Sequence, residues 1–163
     1  MKALKLIVLM VALGALFTFS SCGGDGTTPE PVTDQQLTKL SKAWKLTAVT
    51  LKGVDKATIY NTTGANQFKL TITGTKGTTT FAYTTTGNPS TSVWKGNSDW
   101  KFGTDPLTLI QRDLSLNPPL AMNYTVTSTT LTLTFTFPVG ATGYQNQGRA
   151  EETEGDWVFT FGL

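Results

Sequence analysis

Few residues in this chain could do chemistry, and two absences narrow the set further. Histidine does not occur, and cysteine occurs once, at Cys22. A serine or cysteine nucleophile working with an imidazole base is therefore excluded, as are histidine-based zinc sites and an internal disulfide. Carboxylates remain. Glu151, Glu152, Glu154 and Asp156 fall together in EETEGD, and oxygen-rich loops can hold calcium. The spacing is not that of an EF-hand loop and Gly155 stands in the wrong place, so the run reads as a solvated acidic loop. Hydrolysis by paired carboxylates would need two of them facing across a cleft, and nothing in the sequence marks such a pair. The chain reads as a non-enzyme without a cofactor.

Arginine and the aromatics offer recognition rather than catalysis. Arg112 and Arg149 are the only arginines. A lone arginine at a strand end can clamp a carboxylate or phosphate through two parallel hydrogen bonds, or it can pair with a neighbour such as Asp113 or cover aromatic surface. Trp94 sits beside a Gly/Asn stretch in SVWKGNSDW. It is either a stacking platform for a ligand or a ring tucked under its own loop. Tyr83 should hold its ring in the core and its hydroxyl at the edge. Trp94, Tyr83 and Arg112 are the candidate ligand-binding residues. Trp44, Trp100 and Trp157 alternate with other apolar residues and read as core.

The remaining reactive group is the thiol of Cys22. MKALK supplies Lys2 and Lys5, and LIVLMVALGALFTF has the length of a signal-peptide apolar region. SSC follows, and Ser20 and Ser21 before Cys22 resemble the bacterial lipobox. Residues 1–21 are then a lipoprotein signal peptide. The Cys22 sulfur would carry diacylglycerol and its freed amine a further acyl chain, and two or three chains anchor stably where one is marginal. Residues 22–36 would be the lipidated cysteine and a flexible tether, since GGDGTTPEPVTDQQ has almost nothing apolar to bury. Gly23, not Asp, follows the cysteine, which points to the bacterial outer membrane, periplasmic or surface-facing. The full chain has 13 basic and 11 acidic side chains, and loss of Lys2 and Lys5 with the signal leaves them equal. A neutral mature domain carries no electrostatic footprint for nucleic acid. The expected partners are the membrane, through the N-terminal lipid, and a small apolar or glycan ligand. The sequence names no protein partner.

Positioning these side chains falls to residues 37–163. Threonine makes up roughly one residue in five, far above ordinary usage, and favours half-buried pleated strands. DQQLTKLSKAW predicts a short helix with Asp34 as N-cap. WKLTAVTLKG places Trp44, Leu46 and Ala48 on one face, then Val49 and Leu51 on the other, which predicts a bulge. QFKLTITG and TTTFAYTTTG predict a hairpin across GTKG, with Phe68, Leu70, Ile72, Phe81 and Tyr83 inward. SDWKFG aligns Trp100 with Phe102, and PLTLIQRDLSL supplies Leu107 and Leu109. AMNYTVTSTTLTLTFTF predicts a hairpin turning at TST. DWVFTFGL closes with Trp157, Phe159 and Phe161 aligned. About eight antiparallel strands, one face apolar and the other rich in threonine, predict an all-β closed barrel or, alternatively, a β-sandwich.

The lead-in LSKAWKL, with Trp44 opening the first strand, and the closing GDWVFTF are similar to the corresponding parts of lipocalin-like domains. With the lipobox and tether, the chain resembles the lipocalin-like lipoproteins of Bacteroidetes. That resemblance implies an eight-stranded up-and-down barrel holding a small apolar ligand near Trp94, Tyr83 and Arg112, with Trp44 as a plug at the closed end. The sandwich alternative implies an accessory or structural subunit of an envelope complex, glycan capture included.

Overall fold

The computed structural model describes residues 28–146 and 148–163. The stretch expected as a signal peptide, Cys22 and the first part of the expected tether lie outside the described residues. The chain enters through helix α1 (Val32–Leu40), which begins inside the stretch expected as tether. Composition alone missed this. Gln36, Leu37 and Leu40 lie at helical spacing and are buried, so docking on the β domain offsets the ordering cost of a segment too short to be helical in isolation. Asp34 is not the N-cap, a position held by Pro31. It lies in the first turn, where its charge opposes the positive end of the helix, and its carboxylate accepts the Gly77 amide at 3.0 Å.

The elements that follow are β1 (Ala43–Leu51), β2 (Val54–Asp55), α2 (Ala57–Tyr60), β3 (Lys69–Thr73), β4 (Phe81–Thr86), β5 (Asn97–Phe102), β6 (Leu109–Arg112), β7 (Leu120–Val126), β8 (Thr130–Phe137), β9 (Tyr144–Asn146), β10 (Arg149–Glu151) and β11 (Gly155–Gly162). From β3 to β8 each strand pairs antiparallel with the next, β8 pairs with β11, and β1 pairs with both β3 and β11. The sheet thus closes on itself as an eight-stranded antiparallel barrel, with β2 as one extra strand beside β1 and β9–β10 as a separate hairpin. A single continuous closed sheet excludes the sandwich and leaves the barrel strands without open edges. No helix among the described residues is long and apolar enough to cross a membrane.

Closure depends on the bulge that the phase of β1 predicts. Register with β11 shifts between Leu46 and Ala48. One extra residue resets the alternation, so Trp44 and Leu46 before it and Val49 and Leu51 after it all face inward and are buried. β8 buries Leu131, Leu133 and Phe135 and turns its threonines outward, and β11 buries Trp157, Phe159 and Phe161. β6 departs from expectation. Its buried residues are Ile110 and Arg112, while Leu107 is 55% exposed and precedes the strand. A hydrophobic pattern cannot show that a charged residue faces in.

The lumen is filled, in part by residues from outside the strands. Tyr60 of α2 lies edge-on to Phe68 and Phe159 at 5.7 and 5.2 Å. Trp94, from the β4–β5 loop, meets Tyr83, Phe135 and Phe159 at 5.6–5.8 Å. One end of the barrel is covered by α1. Leu37 reaches Gly74, where an added Cβ would lie 2.7 Å from its Cδ1 and 2.5 Å from Phe81 Cδ1. Trp44, fully buried, donates its indole N–H to the Leu40 carbonyl at 2.8 Å and ties α1 to β1. Trp44→Phe removes that bond and part of the packed ring. It should destabilise the protein by about 2 kcal/mol in urea unfolding, with the slope of the transition unchanged.

Candidate functional site

The end of the barrel opposite α1 is shaped by the β4–β5 loop, residues 87–96. The loop begins at Gly87, φ +68, where a Cβ would stand 2.6 Å from the Asn66 carbonyl oxygen. Only glycine allows that approach and that backbone conformation. Its far end is held by Thr85, whose hydroxyl donates to the Lys95 carbonyl and whose amide donates to the Gly96 carbonyl, both at 2.8 Å. Asn88 Nδ2 donates to the Trp94 carbonyl. Pinned in this way, the loop turns Val93 and Trp94 inward, each 1% exposed.

Arg112 ends β6 with its guanidinium inside the barrel, 4.3 Å from the centroid of Trp94 and 5.2 Å from that of Phe135. Nη1 donates to Asp113 Oδ2 at 2.7 Å and lies 3.4 Å from the Tyr83 hydroxyl, while Nη2 donates to the Val93 carbonyl at 2.5 Å. Tyr83 donates its hydroxyl to Asp113 Oδ1 at 2.8 Å. Neighbours along a strand point to opposite faces, so Arg112 and Asp113 could not meet if β6 continued. The chain breaks there: Asp113 has φ +56, its amide donates to the Asp99 carbonyl at 2.9 Å, and its carboxylate turns back to the arginine. Lys95 Nζ stands 3.6 Å from Asp113 Oδ1. Burial pushes the Tyr83 hydroxyl up to about 12, with Arg112 pulling the other way and Asp113 adding to the rise. Burial likewise pushes Tyr60 and Tyr124 far above the ordinary tyrosine range.

Tyr83, Trp94 and Arg112, nominated from the sequence, therefore come together in one cluster. Trp94 is not an exposed stacking platform, because its faces are covered by Arg112 and by the aromatic residues of the lumen. Arg112 takes both of its alternative roles at once, pairing with Asp113 and covering a ring. Cys22 lies outside the described residues. Arg149 is exposed on β10.

A cleft of about 740 Å³ opens beside the cluster. Val93, Arg112, Asp113 and Phe135 line its inner part. Leu116, Pro118, Pro119, Leu120, Phe137 and Pro138 form the rim, and Ala121, Asn123, Thr134 and Thr136 continue it onto the outer wall. Lys95 stands at its edge. Sequence reasoning missed Lys95 and the apolar rim. The prolines of NPPL and FPVG mark breaks in the strands, and nothing local says that two turns and a loop converge. The acidic run serves other contacts: Glu151 and Glu152 pair with Lys56 and Lys52 at 3.5 and 3.1 Å, and Glu154 and Asp156 accept from the Gly140 amide and the Thr136 hydroxyl. Among the described residues no group of three or more carboxylates and cysteines is placed to hold a metal ion. The chemistry available at the cleft is apolar contact, ion pairing and hydrogen bonding.

Comparisons with protein-family models, with curated proteins and with solved structures return no match.

Two outcomes follow from the cluster. Asp113→Asn keeps a side chain that tolerates the left-handed backbone but leaves the Arg112 charge buried and unpaired. It should cost about 3–5 kcal/mol in denaturant unfolding, and adding Arg112→Met should restore most of that. The second concerns pH. The native state holds the Tyr83 proton more tightly than the unfolded chain does, so its contribution is complete below pH ~10 and lost as pH rises toward 12. That contribution is on the order of 2–3 kcal/mol. Thermal melts should fall across this window, less steeply in Tyr83→Phe, and should stay flat from pH ~5 to 8 because no histidine titrates there.

Proposed function

We propose that this chain is a lipid-anchored lipoprotein of the bacterial outer membrane, a non-enzymatic binding module of lipocalin-like type. Its ligand occupies the cleft at the end opposite α1, not the lumen. The observation that carries this reading is the 740 Å³ cleft, mostly apolar with a few convergent polar groups, on a barrel whose interior is already filled. Small-molecule sites are concave, of roughly 300–1,000 Å³, and lined in this way. The lipobox-like SSC supports the anchor. So does the position of the ends: the tether leads into α1, which packs where β3 ends and β4 begins, whereas the cleft forms where β6 ends and β7 begins. A module held at its α1 end leaves the cleft free to face away from the bilayer. The filled lumen also favours a second reading, an accessory or structural subunit of an envelope complex that binds through its threonine-rich outer face.

Mass spectrometry of protein extracted from membranes should show a lipid-sized addition on Cys22, and Cys22→Ala should move the protein to the soluble fraction. An unmodified thiol would remove the anchor from this reading. For the cleft, Ala121→Trp fills its outer wall without touching the core. Small molecules that raise the melting temperature of the unaltered protein should lose that effect in the variant.

A further inference from the structure

We infer that the cleft selects a ligand with an apolar body and one acidic group of the carboxylate class, and that Lys95 is the residue that selects it. This deepens the cleft-binding reading and rests on it. Three charged residues line the cleft, Lys95, Arg112 and Asp113. Two cations against one anion leave an excess positive charge beside walls of leucine, proline and phenylalanine, where screening by water is weakened.

The three are not equally committed. Asp113 is 4% exposed and both its oxygens are engaged at close range, Oδ2 by Arg112 at 2.7 Å and Oδ1 by the Tyr83 hydroxyl at 2.8 Å. Arg112 uses Nη1 and Nη2 on Asp113 and the Val93 carbonyl, so it is fixed in place. Lys95 is the loose member. Its Nζ stands 3.6 Å from Asp113 Oδ1, beyond ordinary hydrogen-bond length, and its side chain is 40% exposed. It carries three donors. It can therefore turn to an incoming acid while the Arg112–Asp113–Tyr83 set stays intact. Arg112 Nε, buried without an acceptor, adds to the positive field. An acid held by Lys95 places its apolar body against Leu116, which is 46% exposed, and against Phe137 and Pro138 of the rim. A neutral head leaves the extra charge unanswered, and a cationic head is repelled.

Three probes share one chain and differ in the head: octanoate, octanol and octylammonium. Each is titrated into the protein, into Lys95→Gln and into Ala121→Trp, with tryptophan fluorescence and melting temperature as readouts. Octanoate should bind about tenfold more tightly than octanol, the scale of one hydrogen bond to a charged group, and octylammonium most weakly. The difference should shrink with added salt and vanish in Lys95→Gln, whose thermal melt reports that the fold survives. Ala121→Trp should bind none of the three. Equal binding of octanoate and octanol to the unaltered protein, lost in Ala121→Trp, would overturn the acid selection and leave the cleft standing. A preference for octanoate that persisted in Lys95→Gln would overturn the role of Lys95. Binding of none of the probes by the unaltered protein would overturn the cleft reading itself.

Discussion

An eight-stranded sheet that closes on itself must fill its own interior, and the inward side chains of the strands are only just large enough to do so. In this protein side chains from outside the strands complete the filling, Tyr60 and Trp94 among them. Tyr60 enters from α2, and Trp94 enters from the β4–β5 loop. Around them Phe68, Phe135, Phe159 and Phe161 stack and tilt at centroid distances near 6 Å. Close packing of this kind transmits the shape of each ring to its neighbours. The loop, the short helix and the strands are therefore one cooperative unit, and the position of the loop is set by the core as much as by its own turn residues.

The same constraint explains how a charge comes to lie inside. Turning Trp94 into the lumen brings the Val93 carbonyl with it, and a buried carbonyl needs a donor. Arg112 supplies one, stands over the indole ring, and is neutralised by the carboxylate next to it in sequence. Removing any one member leaves the others unsatisfied in a poorly polarisable setting. The left-handed backbone at Asp113 is the local strain that makes the arrangement possible. The cleft is a by-product of these choices. The chain that leaves β6 at Asp113 runs out through Leu116 and the two prolines before returning in β7, and that excursion walls the space beside the arginine.

The barrel is also polarised end to end. α1 covers one end through Leu37, Leu40 and the Trp44 bond, and carries the incoming chain. The other end presents the cleft, the β9–β10 hairpin and the acidic run, whose carboxylates pair with Lys52 and Lys56 near the end of β1. These pairs are half-exposed or near the surface and contribute little each. Their effect is to hold the hairpin beside the end of β1.

Much of the architecture was legible in the sequence because it is local. Period-two alternation of buried apolar residues with outward-facing ones dictates the pleat of β7, β8 and β11, and the GTKG and TST stretches mark the turns of the β3–β4 and β7–β8 hairpins. The phase slip in WKLTAVTLKG marks the bulge, since an added residue must reverse the alternation. The candidates Tyr83, Trp94 and Arg112 were chosen by type, and they meet. What local pattern could not reveal is which way a residue faces once the sheet has closed. Arg112 points inward because Asp113 and Tyr83 await it from outside its own alternation. Trp94 is covered, not displayed, because the lumen had room for one more ring. α1 reaches back to Val32 because Leu37 and Leu40 find a surface that the isolated segment does not have. Hydrophobic periodicity reports the preference of a strand for some buried face. Only the closed barrel, by bringing residues distant in sequence within a few ångströms of one another, decides what that face contains.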